Sequence, residues 1–366
     1  MICINLIGEA GSGTIRGYEA NKQMATKQEQ NLAEDMMAKI CTKSNLNRAY
    51  KRVKANKGAA GIDGMTVDEL GGYLKTQKEV LIEQLMEGKY KPQPVKEVEI
   101  PKPNGGKRKL GIPTVLDRVI QQAIAQVMEP KFEKNFSEHS YGFRPKRNAH
   151  QALRVASEYV KLGAKYVVDI DMEKFFDRVN HDILMNIIAR EIRDKRLLRL
   201  IGSYLRSGIM QDGICVRQTK GTPQGSPLSP LLSNIILDKL DKELEKRGHK
   251  FCRYADDCNI YVISQRAGRR VYKSIKQFLE EKLKLKVNDS KSGVDRVSNR
   301  KFLGYRIRLD GLLSISEESR KRLKKKIIKL TKRNRGISLE LMIEEVNRLI
   351  RGWINYYKLG CAIERK

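Results

Sequence analysis

Closely spaced cysteines, long apolar runs and a matching share of acids are what this chain lacks. Its six cysteines stand at 3, 41, 215, 252, 258 and 361, with no Cys-x-x-Cys spacing among them. Its four histidines, at 139, 150, 181 and 249, form no i, i+4 pair. A zinc site is therefore not expected, and neither is a disulfide scaffold at a length of 366 residues. A reducing cytoplasm is the expected compartment. The absence of any run of eighteen apolar residues excludes a transmembrane helix. The opening MICINLIGEAGSG lacks the basic n-region and longer apolar stretch of a secretory signal. Aromatics make up only 6%, with a single tryptophan. Acids number 43 against 73 Lys and Arg, a net charge of +30. So large a self-repulsion calls for an anionic partner: nucleic acid first, an acidic membrane surface second. With 40% hydrophobic and 32% charged residues the chain is globular, and long enough for two or three domains.

Residues 1–34 carry glycine, glutamine and charge without clear periodicity and read as a loosely ordered extension. From Leu46, LNRAYKRVKANKG reads as a basic helix; Gly58, Gly61 and Gly64 then mark turns, and Thr66 could cap the next helix. VKEVEIPKPNGGKRKLGIP predicts two short strands around the turn Asn104-Gly105-Gly106. LDRVIQQAIAQVMEPKF is an amphipathic helix with Val119, Ala123 and Val127 on one stripe. AKYVVDIDM is a strand whose alternation puts Asp169 and Asp171 on one face. FCRYADDCNIYVI and KFLGYRIRL supply later strands. Strands interleaved with long helices, with hairpins among them, predict an α+β fold. After residue 314 the composition shifts. Ser316–Arg335 holds ten basic residues against Glu317 and Glu318. Ser316 is the expected start of a helix with a buried stripe of Leu323, Ile327 and Leu330, stopped by Gly336. Ser338 caps a second helix carrying Leu341, Val346, Leu349 and Ile350.

Two segments carry the chemistry. In Tyr254-Ala255-Asp256-Asp257, β-prone apolar stretches on both sides make the acidic pair a hairpin tip. Adjacent like charges repel there, where Asn-Gly would serve a purely structural turn better. A solvated acidic turn is the plain reading; the sharper one is a divalent-metal site, since hard cations take carboxylate oxygens. A third acid must then come from elsewhere. YVVDIDMEKFFDRV offers Asp171 at the end of an apolar strand, and the pattern alone leaves Asp169 open as well.

These segments sit among others in a specific order: GIDGMT, IPKPNGGKRKLGIP, YGFRPKRNAHQAL, VVDIDMEKFFDRVNHD, GTPQGSPLSPLLSNIILDKLD, RYADD, KFLGYRI and RGWINYYK. In that order, over roughly residues 45–360, the chain resembles a bacterial group II intron-encoded reverse transcriptase/maturase. The resemblance implies an α+β right-hand polymerase of fingers, palm and thumb, the thumb small, basic and α-helical. It divides the chain into the extension 1–34, an N-terminal fingers region 35–94, a fingers/palm domain 95–308 and a maturase-specific thumb 315–366. By the family's palm motif Asp171, Asp256 and Asp257 are the ligands of two Mg²⁺, with Asp169 outside the first shell.

Phe176, five residues after Asp171, then takes the position that screens the sugar of the incoming dNTP, while Phe175 packs the core. Lys102 and Arg108 become triphosphate contacts and Gln224 a contact to nucleotide and template; Thr222 and Ser226 could be caps. Lys291 takes the position that protonates pyrophosphate, although a lysine after a helix is ordinarily surface. Phe302, Leu303 and Gly304 resemble a primer grip. Arg320, Lys324, Lys325 and Arg333 would track RNA backbone, while Trp353, Tyr356 and Tyr357 pack the thumb. Intron RNA, a DNA primer or target and dNTPs are the implied partners, in a cytoplasmic, RNA-associated setting without a membrane. Members normally continue into a further thumb helix, a basic DNA-binding segment and often an endonuclease with Cys-pair zinc ligands. Here nine residues follow Tyr357, so none of these is expected. Other readings are a splicing cofactor with an incidental polymerase site, or a domesticated retron or defence reverse transcriptase.

Overall fold

A computed structural model describes residues 35–101, 106–211 and 214–360. The expectation for residues 1–34, the turn residues Asn104 and Gly105, and Lys102 lie outside the described residues.

Helices α1 (Met36–Cys41), α2 (Lys43–Ala55) and α3 (Leu70–Met86) open the fold. Helix α2 starts three residues before the expected Leu46. Thr66 does not cap α3: it exchanges hydrogen bonds with Glu69 in the turn before it, Thr66 N donating to Glu69 Oε2 at 2.8 Å and Glu69 N to Thr66 Oγ1 at 3.4 Å. Strands β1 (Val95–Pro101) and β2 (Lys107–Ile112) form the expected hairpin, in register from Lys96↔Ile112 to Pro101↔Lys107. Its sheet, in the order β2-β1-β4-β5, is completed by β4 (Ile209–Gln211) and β5 (Ile214–Val216). Helix α4 (Val115–Glu133), capped by Thr114, buries Val119 and Ala123, while Val127 is half-buried.

The second sheet has the order β6-β7-β3-β8, from β3 (Tyr166–Ile170), β6 (Lys250–Tyr254), β7 (Asp257–Val262) and β8 (Gly293–Arg296). Strand β3 is thus interior, as its apolar content predicts. Between β3 and β4 run α5's successors α6 (Phe175–Arg178), α7 (His181–Glu191) and α8 (Lys195–Arg206); α5 (Ala149–Lys161) precedes β3. Helices α9 (Ser229–Lys246) and α10 (Gln265–Lys282) follow. The period of two divides the sheet's faces. Val168, Ile170, Cys258 and Ile260 join the main core with Ile275 and Leu279 of α10. Val167, Cys252 and Tyr261 join a second core with Ala152, Leu153 and Ala156 of α5. Asp169 and Asp171 share the Val167 face, one and two steps beyond the part that α5 covers.

A three-stranded sheet, β11-β10-β9, leads to the C-terminal helices; its strands are β9 (Lys301–Phe302), β10 (Tyr305–Ile307) and β11 (Leu313–Ile315). Ser316 caps α11 (Glu317–Leu330) and Ser338 caps α12 (Leu339–Tyr357), both through side-chain oxygens that accept backbone N–H bonds. Two expectations are corrected here. Leu323, Ile327 and Leu330 are half-buried rather than buried, because α11 packs on α12 while much of its circumference stays open. Helix α11 also ends at Leu330, and Gly336, with φ of 62°, closes a separate 3₁₀ turn at Arg333–Arg335. On α12 Val346, Leu349 and Ile350 are half-buried and Leu341 is exposed.

Candidate active site

The aspartates are assembled by strand register. Ile170 pairs with Cys258 and Asp169 with Asn259 in the antiparallel β3–β7 ladder. One step further brings Asp171 level with Asp257. Paired residues point to the same face, so Asp169, Asp171 and Asp257 share it. Asp256 stands at the tip of the expected hairpin, between β6 and β7. Burial, with Asp169, Asp256 and Asp171 nearby, pushes the Asp257 carboxyl well above the ordinary range. Burial also raises Asp256, against the pull of Arg108.

Asp169 has a different environment. Arg300 Nη1 lies 3.3 Å from its Oδ2, and burial still pushes its carboxyl up to about 6. A carboxylate already paired with an arginine is a poorer ligand than an unpaired one. Among the described residues no three carboxylate, imidazole or thiol groups converge tightly enough to hold an ion unaided. The donor set on this face, hard carboxylate oxygens without imidazole or thiolate, fits Mg²⁺.

Sequence reasoning missed what holds Asp171 in place. Its N–H donates to Ser292 Oγ at 2.8 Å, and its carbonyl accepts from Asn288 N at 2.9 Å. This stitching brings Lys291 Nζ to 3.8 Å from Asp171 Oδ2. Arg300 Nη1 also donates to the Lys291 carbonyl at 2.7 Å. The lysine is well exposed, as a surface residue would be, yet it stands beside the aspartate. Ser292 and Arg300 left no signal in the sequence, because their partners are 121 and 131 residues away.

The hairpin and the GTPQG loop meet. Arg108 Nε donates to Gln224 Oε1 at 2.6 Å, and Gly111 N donates to the Gln224 carbonyl at 2.9 Å. A Cβ on Gly111 would stand 2.8 Å from Val95 Cγ2 and 3.2 Å from Pro223 Cβ, so the close approach requires glycine. Phe176, Gln224, Lys109 and Thr222 line one small recess. Phe175 is buried in the core and Phe176 is half-buried against it, edge to face at 5.3 Å. Ser226 does not cap α9, whose N-cap is Leu228 without a side-chain bond; its Oγ accepts from Leu228 N at 3.4 Å in the turn before the helix and donates to Gln121 Oε1. Nor is Thr222 a cap: its buried hydroxyl has no hydrogen-bond partner among the described residues.

At the β9–β10 turn, Phe302 is buried and Leu303 and Gly304 are both left-handed, with φ of 51° and 82°. The Leu303 carbonyl accepts from Tyr356 Oη at 2.9 Å, and the Gly304 carbonyl from Ser319 Oγ at 3.1 Å. Trp353 and Tyr356 pack on Tyr357 with ring centroids 4.7 and 4.8 Å away. The aromatic motif therefore ties the helical pair to this turn. Arg320, Lys324, Lys325 and Arg333 lie along the exposed basic side of α11 and the turn after it, remote in sequence from the aspartates.

A sheet that brings carboxylates level across the β3–β7 ladder, beside a cationic hairpin and a Gln-bearing loop, defines a nucleotidyl-transferring polymerase. The description "Reverse transcriptase (RNA-dependent DNA polymerase)" matches residues 100–307, and the chain belongs to this family. More narrowly, "Group II intron, maturase-specific domain" matches residues 320–365, a match that supports the group II intron type of reverse transcriptase. Protein YkfC of Escherichia coli (strain K12) is 32% identical over 303 residues, 72% of this chain and 80% of that protein. Group II intron-encoded protein LtrA of Lactococcus lactis subsp. cremoris is 29% identical over 345 residues, 75% of this chain and 57% of that protein. The chain thus spans little more than half the length of LtrA. Among solved structures, apo telomerase from Candida Tropicalis shares the fold, with a TM-score of 0.50 at 14% identity, over 74% of this chain and 59% of that one. The α+β polymerase class expected from sequence is the one observed. Among the described residues no helix is long and apolar enough to cross a membrane.

Proposed function

We propose that the chain extends a DNA primer along an intron RNA template, adding dNTPs where Asp171 and Asp257 share a face beside Asp256 at the hairpin tip. The register that sets Asp171 level with Asp257 is the observation that carries this reading. These three carboxylates would hold two Mg²⁺, which when bound acidify the primer 3′-hydroxyl and neutralise charge on the phosphoryl oxygens. The protein's own groups do the rest. Arg108, braced by Gln224, grips triphosphate oxygens in bidentate fashion, and Lys102 adds a point charge. Phe176 sets its ring against C2′ of the incoming sugar, where a ribonucleotide carries a hydroxyl. Lys291 gives a proton to the departing pyrophosphate as a general acid.

The proposed division is a fingers region at 35–94, fingers and palm at 95–308 and a thumb at 315–366. The turn Phe302-Leu303-Gly304 would hold the primer end. Arg320, Lys324, Lys325 and Arg333 would follow RNA phosphates, bound in the cytoplasm to the intron transcript. The maturase-specific match supports this partner over that of a domesticated retron or defence enzyme. Primer extension on an RNA template tests the reading. Asp171→Asn and Asp256→Asn should abolish synthesis while RNA affinity stays near wild type, and Asp169→Asn should be much milder. Primer extension by Asp256→Asn at more than a few per cent of the wild-type rate would refute the metal assignment.

A further inference from the structure

The residue directly before the Tyr-Ala-Asp-Asp turn has no part in the chemistry above, yet it is built into the site from beneath. Arg253 is fully buried, at 0% exposure. All five of its N–H groups are used. Nε donates to Asp241 Oδ1 at 2.7 Å and Nη2 to Asp241 Oδ2 at 2.6 Å. Nη2 also donates to Ser140 Oγ at 2.7 Å, and Nη1 to Asn234 Oδ1 at 3.0 Å. The remaining bond, from Nη1, reaches the carbonyl of Ala255 at 2.8 Å.

That carbonyl belongs to the peptide joining Ala255 to Asp256. Ala255 is left-handed, with φ of 57°, a conformation that a residue with a Cβ keeps only when its surroundings impose it. The surroundings are specific. Asn234, which accepts from Arg253, donates its own Nδ2 to the Gly142 carbonyl at 2.9 Å. Gly142 lies so close to the turn that a Cβ there would stand 2.2 Å from Ala255 N. The segment around Ser140 is laced to β6 as well, Tyr141 N donating to the Arg253 carbonyl and Arg253 N to the His139 carbonyl, both at 2.9 Å. Helix α9, the 139–142 segment and β6 therefore converge on one peptide.

A buried ion pair is a weak way to add stability, because desolvating both charges offsets their attraction and an apolar pair often does as well. What the guanidinium supplies that an apolar side chain cannot is direction: five fixed donors in one plane. We propose that Arg253, held by Asp241 and Asn234 and closed over by Gly142, is the positioning residue that sets the angle of the Asp256–Asp257 turn for cation binding. This rests on the metal reading above, so the test must separate the two.

The probe is Mn²⁺, titrated against the free protein by electron paramagnetic resonance, alongside steady-state primer extension and thermal melting. In Arg253→Met/Asp241→Leu both charges leave together. Its Mn²⁺ affinity should fall about tenfold and kcat about 10- to 100-fold, as for a misplacement near 1 Å, with the KM for dNTP and RNA affinity within about twofold of wild type. Gly142→Ala keeps every charge but pushes a methyl onto the Ala255 amide, and should show the same loss of Mn²⁺ affinity. It carries the test if the double variant fails to fold. Asp256→Asn is the control. If that control binds Mn²⁺ as wild type does, the metal reading fails and this inference with it. If the control loses Mn²⁺ while folded clamp variants bind and turn over normally, the positioning role alone is overturned.

Discussion

A carboxylate at the end of an apolar strand is costly to hold, and four such groups lie close together here. Arg300 accounts for Asp169; burial and mutual repulsion leave Asp256 and Asp257 without comparable relief. At this same scale Phe176 has a testable role. Truncating a fully buried Phe costs ~3–5 kcal/mol, but Phe176 is half-buried and should lose less. Phe176→Ala should therefore melt only slightly below wild type and raise ATP incorporation relative to dATP, with base selection intact. Single-nucleotide incorporation with both substrates checks this. A folded variant with unchanged sugar preference would return the ring to a packing role.

Among the elements, α9 carries a group whose cost depends on pH. Asp238 is buried on α9, its Oδ1 has no hydrogen-bond partner among the described residues, and burial, with Asp241 nearby, pushes its carboxyl up to about 6. Lys239, Lys242 and Arg253 oppose the rise. Because the folded value lies above the unfolded one, folding takes up a proton between roughly pH 4 and 6, and stability from this group falls as pH rises through that window. Asp238→Asn should thus stabilise the protein by on the order of 2 kcal/mol at pH 7 and have little effect at pH 4. Chemical denaturation at the two pH values measures it; an equal effect at both would contradict the assignment. Helix α11 makes a separate prediction. RNA affinity should fall with salt at a slope of about −0.7 per phosphate contact on single strands, and reversing charge at Arg320, Lys324 and Lys325 should flatten that slope. An unaltered slope would put the RNA path on another surface.

Across the whole molecule, the helical pair is tied to the β9–β10 turn by hydrogen bonds to the Leu303 and Gly304 carbonyls. A Cβ at Gly304 would lie 2.6 Å from Tyr357 Oη, on a backbone already at φ of 82°. Gly304→Ala should cost about 1–3 kcal/mol through strain and loosen the contact of α12 with this turn. Products on a long template should then shorten, while incorporation of a single nucleotide changes little. Tyr356→Phe, which deletes the bond to the Leu303 carbonyl, should act in the same direction with a smaller cost of about 1 kcal/mol. Gel analysis of product length under single-encounter conditions reads both. A loss of single-nucleotide activity equal to the loss of length would mean that the turn acts on the chemistry rather than on primer retention.

Local pattern was enough for the hairpins, for β3 and β7, and for the facing of Asp169 and Asp171, because a period of two is written into consecutive residues. The acidic turn was legible for the same reason: its flanking strands announce it. That Asp169 rather than Asp171 pairs with Arg300 was not, since the arginine stands 131 positions away. The burial of α11 was misjudged because an apolar stripe states what a helix can bury, while only the packing partner decides how much it does. Arg253 reads in sequence as one more cation among 73 Lys and Arg. Tertiary structure alone surrounds it with Ser140, Asn234 and Asp241, at separations of 113, 19 and 12 residues. Hydrogen bonds of that kind depend on where distant segments meet, and spacing along the chain carries no trace of it.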